Sequence, residues 1–99
     1  MILPEKKFEE LREALHSSKQ PMFIYDDDPD GLCSFLLLYR SAKAGRGMIL
    51  KTTSRLTEQW LRKVEEYSPD AIFVLDIPIV EQEFIDGANV PIYWIDHHT

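Results

Sequence analysis

The chain has 99 residues, 44% of them hydrophobic, a formal net charge of −6 and a single cysteine. That length suits one small domain with one core, and the acidic balance excludes the overall basic footprint that grips duplex phosphates by counterion release. One cysteine excludes an internal disulfide and a cysteine-based zinc site, and it fits a reducing compartment.

Pro4 suits the first turn of a helix, on which Phe8, Leu11 and Leu15 form one apolar stripe ending near Ser17 and Ser18. PMFIY, Pro21 through Tyr25, is short and apolar and reads as a buried strand. A helix is expected over Leu32–Ala44, closed by Gly45, and MILKTT from Met48 to Thr53 reads as a second strand. Thr57 can cap a helix running through Tyr67, with Trp60, Leu61 and Val64 facing inward. AIFVLDIP is a third strand stopped by Asp76 and Pro78, EQEFIDG a short acidic helix, and VPIYWIDHH a fourth strand ending in Asp96. Alternation of this kind predicts an α/β fold, a parallel sheet of about four strands with flanking helices and right-handed crossovers. No apolar run approaches the roughly 20 residues of a membrane-spanning helix, and MILPEKKFEEL is unlike a secretory signal. A cytoplasmic protein with no membrane partner is expected.

Open α/β sheets bind ligands at the carboxyl ends of their strands. The polar clusters of this chain fall there. Asp26, Asp27, Asp28 and Asp30 follow the first strand, Asp76 the third, and Asp96, His97 and His98 the fourth. Any one aspartate alone reads as a helix cap or turn residue. Three clusters, each directly after an apolar strand, read as one edge built to hold cations.

Pro29 stiffens the loop between Asp28 and Asp30, so two carboxylates two residues apart can serve two neighbouring ions. Asp76 can bridge such a pair, since carboxylate oxygens suit Mg²⁺ and Mn²⁺, and imidazole shifts the preference toward Mn²⁺. His97 and His98 are adjacent, so in extended backbone they point to opposite sides; one is expected to ligate and the other to face substrate or to support a ligand. Two divalent ions roughly 3.5–4 Å apart activate water and clamp phosphoryl oxygens in phosphate-ester hydrolysis. His16 reads as a surface residue at the end of the first helix, Cys33 as a small apolar helix residue, and Arg55 as solvated surface rather than a phosphate contact.

DPDG (Asp28 through Gly31), the strand-terminal Asp76 in VLDIP, and DHH (Asp96 through His98) resemble, in order and placement, motifs one, two and three of the DHH phosphoesterase family. Gly31 after the second aspartate is more similar to the RecJ-like nucleases of that family. The resemblance implies a hydrolase dependent on two Mn²⁺ (or Mg²⁺) ions that cuts phosphodiester bonds of single-stranded nucleic acid or short oligonucleotides. Carried over, it implies that Asp28 ligates the first metal, Asp30 the second, Asp76 both, and His97 the second. It also implies that His98 contacts the scissile phosphate and that Asp96 orients the histidines. Many members carry a His where this chain has Ile24, and Asp26 is the residue that can compensate, as a ligand or beside one. The resemblance implies that residues 1–99 correspond to the amino-terminal part of the family's domain. The fourth motif and the carboxy-terminal substrate-binding domain are expected outside them, supplied by a missing remainder or partner subunit, and the isolated chain is expected to be inactive or nearly so. Two alternatives stand beside this reading. One is a receiver-like signalling domain with Mg²⁺ at the acidic loop and Asp76 as phosphoacceptor; the other is a non-catalytic subunit that keeps the DHH fold.

Overall fold

A computed structural model of the chain describes residues 5–27, 35, 36, 39, 40, 45–50 and 55–95, with the backbone alone for residues 5–8. In chain order the elements are α1 (Glu5–Ser17), β1 (Pro21–Asp26), β2 (Arg46–Leu50) and β3 (Arg55–Leu56). A 3-10 turn (Glu58–Trp60) then leads into α2 (Leu61–Tyr67), followed by β4 (Ala71–Leu75), β5 (Ile79–Val80), α3 (Gln82–Ala88) and β6 (Ile92–Ile95). Between β1 and β2, Phe35, Leu36, Tyr39 and Arg40 are helical. They lie within the expected helix over Leu32–Ala44, whose ends, with Cys33, fall outside the described residues.

The main sheet is parallel throughout, in the order β2-β1-β4-β6. β1 and β4 occupy its centre, and all residues of β4 and five of the six in β1 are buried. Such unbroken apolar runs are what a strand needs when helices cover both of its faces. Successive side chains go to opposite faces. Met22, Ile24, Ile72 and Val74 join Val64 of α2 and Phe84 of α3 in one core, while Phe23, Tyr25, Phe73 and Leu75 join Leu11 and Leu15 of α1 in the other. Phe23 and Phe73 stack at 5.4 Å across β1 and β4, and Phe35 stacks on Tyr25 at 4.6 Å. Each fully buried ring of this size contributes about 1.5–3 kcal/mol by leaving water.

The helices end where the local chemistry directs. Thr57 accepts a hydrogen bond from the Gln59 N–H at 3.4 Å, as its capping role requires, and it opens a 3-10 turn before the α-helix begins. Ser68 and Asn89 close α2 and α3 in the left-handed conformation. Of the residues expected inward, Val64 is buried, and Trp60 and Leu61 are half-buried against the same core.

Two details depart from the sequence reading. β2 begins at Arg46 rather than Met48, because its pairing with β1 already starts at Arg46 opposite Met22; the expected continuation over 51–53 lies outside the described residues. A second parallel pair, β3 with β5, was not expected, since two residues per strand carry no readable alternation. β6 sits at an edge of the main sheet. Among the described residues no helix is long and apolar enough to cross a membrane.

Candidate site at the carboxyl edge of the sheet

The register of the central strands brings two of the expected acids together. Tyr25 of β1 lies opposite Leu75 of β4, so the next residues, Asp26 and Asp76, leave adjoining parallel strands at the same level. Leu75 in turn lies opposite Ile95 of β6. Asp96 follows Ile95 in sequence and, with His97 and His98, lies outside the described residues, as do Asp28, Pro29, Asp30 and Gly31. Asp26 and Asp76 are therefore the expected site residues whose placement can be described.

Asp76 is fully buried, the one charged residue in the core among those described. Its backbone stands at φ 58°, in the left-handed region that aspartate tolerates better than most side chains. The N–H of Asp76 donates to the Ile95 carbonyl oxygen at 2.7 Å, extending the β4–β6 ladder one residue beyond the strand. The next residue, Ile77, is buried in the α2–α3 core and precedes Pro78, which disfavours helical backbone at Ile77. The carbonyl of Ile77 accepts a hydrogen bond from Trp94 Nε1–H at 2.7 Å. The chain thus leaves β4 through a turn fixed at consecutive residues. A buried carboxyl group needs hydrogen-bond partners to offset its desolvation, and among the described residues no buried side-chain oxygen is left without one.

Asp26 is half-buried at the end of β1. Its Oδ1 accepts the Asp27 N–H at 3.0 Å, and the same N–H lies 3.1 Å from the Leu50 carbonyl oxygen of β2. Tyr25 has its phenol pushed above the usual range, first by burial and second by the negative charge of Asp27. The negative charge of Asp27 is therefore felt by the phenol of Tyr25. Tyr25 was not singled out from sequence as part of the site; its position immediately before four clustered acids was the available signal.

Arg55, read as solvated surface, forms an ion pair with Glu81 at 2.9 Å, with both side chains partly exposed. His16 is exposed in the last turn of α1, as expected. Among the described residues no group of three or more His, Cys, Asp or Glu gathers into a metal-binding cluster. Asp26 and Asp76 alone do not complete one. Each carries oxygen donors of the kind that Mn²⁺ or Mg²⁺ takes, at the edge of a parallel sheet where ligands bind. No family model, curated protein or solved structure matches the chain.

Proposed function

We propose that this chain is the amino-terminal part of a DHH-type phosphoesterase domain. In this reading it contributes to hydrolysis of phosphodiester bonds in single-stranded nucleic acid or short oligonucleotides. The observation that carries the reading is that a fully buried Asp76 and Asp26 each follow the last residues paired between the two central strands, Leu75 and Tyr25, at their carboxyl ends. A carboxylate held out of water at a strand end, in a left-handed turn that costs on the order of 1 kcal/mol, is costly as mere structure and useful as a preorganised ligand. The motifs DPDG and DHH supply the remaining donors in the order that the resemblance requires.

In this reading Asp28, Asp30, Asp76 and His97 hold two Mn²⁺ or Mg²⁺ ions, with Asp26 as a further ligand or beside one. When bound, the ions lower the pKa of water and offset charge on the phosphoryl oxygens. The chain's own part is to fix the donors. β4 and its turn present Asp76 from the core side, and the end of β1 presents Asp26 beside it. Asp96 restrains the imidazoles, and His98 hydrogen-bonds the phosphate that is cut. Productive binding of the nucleic acid belongs to a region or partner beyond these residues.

Calorimetric titration of Mn²⁺ into the chain, beside Asp76→Asn and His97→Ala, tests the reading. Binding weakened by both substitutions is expected. Binding lost with Asp76→Asn but unchanged by His97→Ala would instead favour a receiver-like acidic pocket, and no binding by the native chain would count against a site assembled from these residues.

A further inference from the structure

We propose that Trp94 is a positioning residue for Asp76, holding the turn after β4 so that the Asp76 carboxylate stays aimed at the metal site. The inference rests on the phosphoesterase reading and adds to it a residue that none of the motifs contains. Trp94 lies opposite Val74 in the β4–β6 register, two residues before Asp76, yet its indole reaches past the strand end to the Ile77 carbonyl at 2.7 Å. A tryptophan usually contributes through buried area, but this one is 48% exposed. Its directed contribution is therefore the N–H bond, and the bond falls on the residue immediately following Asp76.

Two bonds from β6 then bracket the strained position. The Ile95 carbonyl accepts from the Asp76 N–H, and Trp94 Nε1–H donates to the Ile77 carbonyl, so the peptide unit before the Asp76 Cα and the one after the Ile77 Cα are both held by one neighbouring strand, with a single peptide unit between them. With φ at 58°, Asp76 needs such restraint, because relaxation toward the ordinary right-handed or extended regions relieves strain and swings the side chain away. A metal ligand must stay within about 0.5 Å of its productive position, a tolerance that a freed turn exceeds. Groups that orient metal ligands in this way commonly change affinity tenfold or more when removed.

Trp94→Phe keeps an aromatic ring on the strand and deletes only the donor. The prediction is that Mn²⁺ affinity, read by calorimetry, falls about tenfold in the Asp76 background and changes less than about twofold in the Asp76→Asn background. Amide hydrogen exchange at Asp76 should accelerate about tenfold while exchange in β1 stays as it was. Trp94→Tyr, which also lacks the indole N–H, guards against a folding defect peculiar to one variant and should behave alike. Unchanged Mn²⁺ affinity in both variants, or an equal loss with Asp and with Asn at position 76, would overturn the positioning role and leave the metal site standing. Failure of the native chain to bind Mn²⁺ would instead count against a metal site assembled from these residues, and would overturn this inference with it.

Discussion

Asp76 and Ile95 are joined by a 2.7 Å bond from the N–H of one to the carbonyl oxygen of the other, and Asp76 makes it from the left-handed region. The bond belongs to the sheet, whereas the backbone angle belongs to a turn. Their coincidence at one residue means that β6 fixes the direction in which β4 releases the chain. Substituting Asp76 with glycine or alanine removes the carboxylate in both cases, but only alanine retains a Cβ that opposes φ 58°. Asp76→Ala should therefore be less stable than Asp76→Gly by about 1 kcal/mol, against the usual order inside regular structure. Urea unfolding of the two metal-free variants measures the difference, and alanine equal to or better than glycine would mean that the position is not left-handed in solution.

Tyr25 offers a probe of the acidic loop that needs no metal. Burial and, second, the Asp27 carboxylate hold its phenol above the ordinary value of 10.0. Asp27→Asn removes only the second cause, so the Tyr25 pKa should fall yet remain above the ordinary value. For stability the sign follows from linkage: a raised folded-state pKa favours the fold below the unfolded phenol's pKa, and this contribution is lost as pH rises through the folded value. NMR titration of the Tyr25 ring carbon checks the shift; an unmoved pKa in Asp27→Asn would separate the two groups.

Much of this architecture is written in local pattern. FIYD and IFVLD are each apolar runs ended by an acid, and both are central strands whose ends meet, because burial on both faces leaves no alternation to misread. The left-handed turn at Asp76 is less legible: VLDIP shows an acid and a proline, but the conformation is fixed by Ile95 and Trp94, which lie about twenty residues further along the chain. The same holds for β3 and β5, which are strands only because they find each other. Arg55 illustrates the limit from the other side. Its sequence neighbours give no hint of Glu81, the partner that tertiary packing brings to it.

Gly45, expected from the sequence to close a helix, stands where a side chain has no room. Its φ is 118°, and a Cβ built there would stand 2.6 Å from the Pro21 carbonyl oxygen and 2.9 Å from the Phe23 ring. The first of these neighbours is backbone at the start of a central strand and cannot step aside cheaply. Gly45→Ala should cost about 2–3 kcal/mol, the backbone term and the overlap together. For a domain of this size that lowers the melting temperature by roughly 10 °C or more. A thermal scan showing a shift of under about 3 °C would mean that the chain passes this point in another conformation.

At the opposite end of the sheet, Asp70 joins α1 to β4. Its carboxylate accepts from Ser18 Oγ–H, from the Lys19 N–H at 2.6 Å and from the Gln20 N–H at 3.2 Å. Partial burial pushes its pKa up, but these bonds to the charged form outweigh it and hold the carboxyl below the usual aspartate value of 3.8. A depressed folded-state pKa stabilises the fold fully above the unfolded value, and the contribution fades as pH falls through the folded one. Because the group is exposed, solvent screens it, and Asp70→Asn should cost only about 1 kcal/mol near pH 7. The gap between Asp70→Asn and the native chain in urea unfolding should therefore narrow steadily below pH 4 and close once both states are protonated. A gap independent of pH would assign the stabilisation to hydrogen-bond geometry alone, with no contribution from the charge.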